Sequence, residues 1–258
     1  MDNAQKFKDK ISQGQICLGT GITFTDPTVT EALCSFLDFL WIDMEHNALS
    51  LETVQSHIMA TKGSDAAPIV RVPWNDAVLI KPVLDIGAAG IVVPMVRTAE
   101  EAFRAVQACR YPPEGVRGIG PRRPYYGQMD FREFWRKANA TLLTIVQIEH
   151  IDAVNNLDQI LTVPGINSLV LGPMDLSASM GHTGEPQHPD VLHAIDSVIS
   201  RARHARLAVG VGSADEPKGL MKWIEKGVQW LQMGNDYTLM LRAVQQISKS
   251  VREHSART

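Results

Sequence analysis

Cysteine is scarce: Cys17, Cys34 and Cys109 are the only three in 258 residues, and they are widely separated. A disulfide framework or a thiolate zinc site would need closer or more numerous partners, so a reducing compartment is expected. Long apolar runs are missing too. Nowhere do 18 consecutive apolar residues occur to span a bilayer, and residues 1–10 have no apolar centre of a secretory signal. Neither sign of charge dominates: 25 basic and 28 acidic residues leave a net −3, with no basic stripe suited to nucleic acid and no block of like charge. The expectation is a soluble, cytoplasmic protein with no nucleic-acid and no membrane partner. Also absent is a dinucleotide-binding turn, since Gly19-Thr20-Gly21-Ile22-Thr23-Phe24 does not complete G-x-G-x-x-G.

What is present is an alternation of strand and helix patterns along the whole chain. Short, β-branched apolar runs read as strands buried on both faces at 16–22, 39–43, 67–72, 90–95, 142–149, 168–175, 208–211 and 229–233. Helix signals follow each. Asp26-Pro27 offers a cap and a first-turn proline, Thr98-Ala99-Glu100-Glu101 a capping threonine with first-turn acids, and Gly87 stops a helix over 75–86. Further helices are expected from about 50, over 131–138, 151–161, 189–206 and 216–226, and from about 237 towards 253. One Pro-, Gly- and Arg-rich segment, 111–130, interrupts the rhythm, and loops of that length are usually functional or disordered. Eight strand–helix pairs without a composition break predict an α/β fold, a single-domain (β/α)8 TIM barrel over 1–258; a doubly wound open sheet is the competitor.

In such a barrel the strand carboxyl ends meet at one mouth, however far apart they are in sequence. Glu149 and Asp175 each end an apolar run there. Either acid alone could equally be a helix-start carboxylate or a solvated loop residue. Together they are two hard oxygen ligands suited to Mg2+ or Mn2+, leaving coordination positions for substrate and water. The same reasoning brings Asp43, Glu45 and His46 from the second strand, Arg71 from the third and Gln147 from the fifth. His46 is the leading candidate base, with Asp43 or Glu45 to orient it, and Arg71 is a fixed charge able to stabilise an oxyanion. Against this, Arg71 could be a structural ion-pair partner of Glu149 or Asp43, and a lone histidine is commonly structural. His182 and His188 also lie near the sixth-strand loop, while His150 should face away from its neighbour Glu149. Asp85, near the end of the third helix, is not placed at the mouth by geometry alone. The glycines of 210–213 could cradle a phosphate or permit tight packing, and Arg117 to Arg123 could meet an anionic substrate tail or be a solvated loop.

Several ordered motifs then carry a resemblance: Asp43-x-Glu45-His46, Val70-Arg71-Val72-Pro73, Leu84-Asp85-x-Gly87, Val93-Pro94-Met95-Val96, Tyr111-Pro112-Pro113-x-Gly115-x-Arg117-Gly118, Val146-Gln147-Ile148-Glu149 and Gly172-Pro173-x-Asp175-Leu176-Ser177. Over almost its whole length the chain resembles the HpcH/HpaI aldolase family, especially its 4-hydroxy-2-oxoheptanedioate and 2-dehydro-3-deoxyglucarate aldolases. The resemblance implies a (β/α)8 barrel and a divalent cation, Mg2+, Mn2+ or Co2+. It also implies cleavage of a 4-hydroxy-2-oxo acid to pyruvate and an aldehyde through a metal-bound enolate. It implies Glu149 and Asp175 as metal ligands, His46 as the base, and Asp85 as the acid supporting it. Arg71 is implied as the enolate-stabilising residue, Gln147 as a substrate contact, and the backbone of Met174 and Asp175 as the receiver of the pyruvate carboxylate. A homohexamer, a trimer of dimers with the last helix packed on or swapped with a neighbouring subunit, is implied as well.

No lysine Schiff base is expected, because Lys81 falls in the third helix. The chain departs from many family aldolases at Leu18-Gly19-Thr20, where they carry a tryptophan, and in the loop 120–127. Both departures concern the aldehyde side. The alternatives are an oxaloacetate decarboxylase or macrophomate-synthase-like enzyme using the same enolate, and a non-catalytic barrel that binds a keto acid.

Overall fold

Runs such as Phe39-Leu40-Trp41-Ile42 are buried on both faces, and each becomes one stave of a closed barrel. The computed structural model describes residues 2–120, 122–125, 130–213 and 216–255. The strands are β1 (Cys17–Ile22), β2 (Phe39–Asp43), β3 (Ala67–Arg71), β4 (Gly90–Val93), β5 (Leu143–Ile148), β6 (Ser168–Leu171), β7 (Ala208–Ser213) and β8 (Trp230–Asn235). All pair in parallel, in sequence order, and β8 closes on β1. The helix α1 (Asp2–Ser12) precedes the barrel. Around it run α2 (Thr28–Leu33), α3 (Leu51–Ala60), α4 (Ala77–Asp85), α5 (Ala99–Cys109), α6 (Arg122–Tyr125), α7 (Phe131–Thr141), α8 (Ile151–Asn155), α9 (Leu157–Leu161), α10 (Pro173–Ser179), α11 (Pro189–His204), α12 (Pro217–Lys226) and α13 (Asp236–Ser255). The expected (β/α)8 barrel is therefore the observed architecture.

Local chemistry sets the helix starts. Ser50 accepts a hydrogen bond from the Thr53 amide, Asp76 from the Val78 amide, and Thr98 and Glu101 form a reciprocal capping box. Each such cap contributes about 1 kcal/mol.

Two apolar layers hold the barrel. Outside, the strands pack on the helices through Ile42, Val70, Ile91, Val146, Leu169 and Val211. Inside, aromatic rings fill the lower half and lean on glycine. A Cβ on Gly19 would lie 2.6 Å from the Phe39 ring, and one on Gly210 would lie 2.0 Å from the Trp230 ring. Phe39 and Trp230 meet edge to face at 5.3 Å, and the Trp230 indole N–H donates to Ser168 Oγ at 2.9 Å.

The structure corrects several of the sequence-based boundaries, among them these four. The helix α1 was not anticipated. It closes the barrel floor, with Phe7 edge-on to Phe39 and Trp230 at 5.7 and 6.0 Å. The helix expected over 151–161 breaks at Asn156, a non-helical residue shared by the ends of α8 and α9. The sixth strand stops at Leu171, because Gly172 caps and Pro173 opens α10, so Asp175 sits in a helix's first turn. Finally, β8 continues to Asn235, two residues past the expected end.

Candidate active site

Asp43 ends β2 directly opposite Arg71 at the end of β3, and this register builds the site's central ion pair. The guanidinium grips Asp43 with two nitrogens, Nε–Oδ1 at 2.8 Å and Nη2–Oδ2 at 2.9 Å. Its third nitrogen lies 3.0 Å from Glu45 Oε2 without hydrogen-bond alignment. Asp43 also accepts from the Glu45 amide and from Asn47 Nδ2 at 2.6 Å. The structural ion pair foreseen for Arg71 with Asp43 thus exists, with Glu45 as a second partner.

Across the mouth, Glu149 follows β5 and is almost wholly buried. Its Oε1 accepts from the Met95 amide at 2.7 Å and its Oε2 from Gln147 Nε2 at 2.5 Å. Met95 presents that amide from a left-handed conformation, φ +55°, which is uncommon away from glycine. Gly172 makes room, since a Cβ there would stand 2.8 Å from Glu149 Oε2. Asp175 and Met174 project from the first turn of α10 and are exposed.

Charge is unbalanced here. Asp43, Glu45, Glu149 and Asp175 act on one another around the single guanidinium of Arg71. Burial pushes Glu149 up to about 7; the Met95 N–H opposes this, and the negative charges of Glu45 and Asp175 add to it. Burial likewise pushes Glu45 to about 7, against Arg71 and with Asp43 and Asp175. A divalent cation would relieve this excess. Glu149 is bonded at each oxygen once, which leaves lone pairs free, so the donor set of Glu149 and Asp175 fits a hard, oxygen-seeking ion.

These groups surround a cavity of about 360 Å3 at the strand carboxyl ends. Of the predicted residues, Asp43, His46, Arg71, Gln147, Met174 and Asp175 line it, and Glu149 lies behind Gln147 and Gly172. His46 is largely exposed, its Nε2 3.6 Å from Glu45 Oε2. Asp85 is elsewhere: it ends α4 and receives Arg117 Nη2 at 2.7 Å, and no contact within the described residues of this chain joins it to His46. Arg117 is buried over the Tyr111 ring at 4.4 Å, so this arginine is not a solvated loop group. Arg123 donates to the Ile86 carbonyl, while residues 121, 126 and 127 of the 120–127 loop lie outside the described residues. His150 caps α8 and pairs with Asp152, facing away from the mouth as expected. Gly210 serves packing, whereas Gly212 borders the cavity.

Sequence reading missed Trp41, Gln232 and Asn235. Trp41 lines the cavity with its indole N–H unpartnered among the described residues and its ring 5.4 Å from the Arg71 guanidinium. Gln232 donates to Asn235 Oδ1 at 2.8 Å beside Gly21, where a Cβ would stand 2.0 Å from that oxygen. The rule used for the other strands would have found Gln232, a polar group at a strand's carboxyl end.

Comparison with known proteins gives the family and the fold likeness. A family model described as HpcH/HpaI aldolase/citrate lyase matches residues 24–243. A protein of Shigella sonnei (strain Ss046) named 4-hydroxy-2-oxo-heptane-1,7-dioate aldolase is 38% identical over 249 residues, covering 96% of this chain and 94% of its own. Among solved structures, an HpcH/HpaI aldolase/citrate lyase family protein from Burkholderia cenocepacia J2315 superposes with a TM-score of 0.89 at 32% identity, covering 96% of this chain and 98% of the other. Macrophomate synthase superposes with a TM-score of 0.88 at 27% identity, covering 98% of this chain and 90% of the other.

Proposed function

The chain belongs to the HpcH/HpaI aldolase/citrate lyase family and is a lyase of the pyruvate-aldolase class, and from that premise we propose that it cleaves a 4-hydroxy-2-oxo acid, of the 4-hydroxy-2-oxoheptanedioate kind, to pyruvate and an aldehyde with the help of a divalent cation. The observation that carries the proposal is the excess of carboxylate at one mouth, Glu149 and Asp175 beside the Arg71–Asp43–Glu45 cluster. Glu149 and Asp175 would hold Mg2+, Mn2+ or Co2+, which supplies Lewis-acid polarisation of the 2-oxo group.

The protein's own groups do the rest. Asp43 and Glu45 fix the Arg71 guanidinium, so its charge is already in place for the oxygen that becomes negative as C3–C4 breaks to the pyruvate enolate. His46, exposed at the rim, takes the proton from the 4-hydroxyl oxygen. Gln147, held by Glu149, orients the 2-oxo acid, and the backbone at Met174 and Asp175 receives its carboxylate. Asp85 is proposed to support His46. Since the two do not meet within one chain, that support would come from a neighbouring subunit.

Assembly belongs to the same proposal. Tyr237, Met240, Val244, Ile247 and Val251 repeat at spacings of three and four along α13 and are all exposed. Such a heptad seam suits packing on a second helix, in keeping with a homohexamer built as a trimer of dimers.

The test is pyruvate methyl-proton exchange in D2O, followed by NMR with and without Mn2+. Cation-dependent exchange that falls at least a hundredfold in His46→Ala is the expected result, and no exchange with any divalent ion would overturn the proposal. The likeness to macrophomate synthase keeps a second reading in view, decarboxylation of oxaloacetate to the same enolate. CO2 release from oxaloacetate that outruns every retro-aldol rate would select it.

A further inference from the structure

Outside the mouth cavity, a second group of metal-ligating side chains comes together on the segment between α10 and α11. We propose that His182, His188 and Asp190 form a separate site for a borderline divalent ion of the Zn2+, Ni2+ or Co2+ type. One ligand atom from each residue lies within 4.8 Å of the others. The proposed reaction uses none of these residues, so the inference stands or falls independently of it.

The backbone builds this arrangement. Gly181 and Gly184 take left-handed conformations, φ +83° and +84°, that other residues rarely adopt. Three backbone hydrogen bonds then fold the loop on itself: the His182 amide donates to the Ser177 carbonyl, Glu185 to His182 and His188 to Glu185, at 2.8 to 2.9 Å. The result lays the two imidazoles face to face, centroids 3.6 Å apart and planes 15° apart. Asp190, in the first turn of α11, brings Oδ2 to 3.4 Å from His182 Nε2 and 3.7 Å from His188 Nδ1.

The chemistry separates this site from the oxygen pair at the mouth. Two imidazoles and one carboxylate are the donors that zinc and its neighbours take at about 2.0–2.2 Å, with a fourth position left for water. Glu149 and Asp175 offer oxygen alone and suit harder ions. Stacked rings must splay to aim both lone pairs at one ion, and His188 must give up the bond that its Nδ1 accepts from the Asp190 amide at 3.3 Å. Both histidine side chains are partly exposed, at 26% and 30%, which leaves room for that rotation.

Topology gives the site a consequence. α11 leads back to the start of β7, so its first turn stands at the mouth end of the barrel. A bound ion would fasten the loop to that turn, at the rim of the cavity end.

The experiment is calorimetric titration of Zn2+ into the untagged chain carrying Glu149→Gln and Asp175→Asn, which removes the oxygen donors at the mouth. One ion per chain is expected, together with a Zn2+-dependent rise in Tm. His182→Gln, and separately His188→Asn, whose amide can still cap α11, should each weaken binding at least tenfold and remove the Tm rise. In the otherwise wild-type chain, each of the two variants should lower the number of bound Zn2+ ions by one. No saturable uptake, or unchanged affinity in either variant, overturns the proposal.

Discussion

Arg71 could not be exchanged for lysine without loss, and the reason lies in where its nitrogens go. Two of them clamp Asp43 and the third approaches Glu45, while the planar group stands over Trp41. A lysine is a point charge and cannot hold both acids in this way. Arg71→Lys is expected to lower kcat for retro-aldol cleavage by roughly 10²–10³, with KM for the 2-oxo acid changed much less; steady-state kinetics check this. Glu149 supplies a pH prediction. Its folded value of about 7 lies above its ordinary 4.5, so the folded chain binds more protons than the unfolded one between those limits. Stability therefore falls as pH rises from about 4.5 to about 7, by on the order of 2–3 kcal/mol at most. Tm measured in chelator should be higher at pH 5.5 than at pH 8, and Glu149→Gln should remove part of that slope, with Glu45, also raised to about 7, supplying a similar share. A cation that binds the ionised carboxylate reverses the sense, so Mn2+ affinity should fall as pH drops below about 7. Asp43, Arg71, Gln147, Glu149 and Asp175 were legible at this scale because each is a polar residue at or next to the end of an apolar run. Trp41 was not. An indole inside Phe39-Leu40-Trp41-Ile42 reads as core, and only the closed barrel shows that its ring borders the cavity.

Among the elements, α1 contributes most for its length. Ala4 and Phe7 are buried, and Ile11 packs partly buried against the same inner cluster as Phe39, Trp41 and Trp230. Phe7 touches rings that otherwise face water at the barrel floor, so Phe7→Ala should cost about 3–4 kcal/mol; denaturant unfolding at fixed pH and cation concentration measures it. The helix left a signal, since positions 4, 7 and 11 share one helical face, but a stretch read only for a secretory core does not reveal it. The strands were legible because a parallel strand covered on both faces is apolar at every position. Their ends were less so. Glycine and proline at 172–173 end β6 early, whereas Gly234 and the polar Asn235 continue β8, because closure of the barrel gives Asn235 a partner in Gly21 of β1. That extension is what places Asn235 at the cavity.

For the whole molecule, the exposed seam of α13 is the feature one chain cannot account for. The 20-residue helix packs chiefly through its amino-terminal end, where Asp236 accepts from the Thr23 hydroxyl and from the Thr23 and Phe24 amides. Beyond it, Val244, Ile247 and Val251 stand 55%, 65% and 63% exposed. Apolar residues at heptad spacing gain stability only when covered, each by roughly 1.5–3 kcal/mol on full burial. A charge at the centre of such a seam would be desolvated without a partner and would oppose association by several kcal/mol. If the chain assembles through α13 as proposed, Val244→Asp should dissociate that assembly while leaving each barrel folded, because Val244 is exposed and lies outside the core clusters. Sedimentation velocity would show a smaller species, with far-ultraviolet circular dichroism unchanged. If Asp85 serves His46 from a neighbouring subunit, the same substitution should also lower kcat, and Asp85→Asn in the intact assembly should lower it without altering sedimentation. An assembly unaffected by Val244→Asp would remove α13 from the interface and leave the separation of Asp85 from His46 to be bridged by another surface.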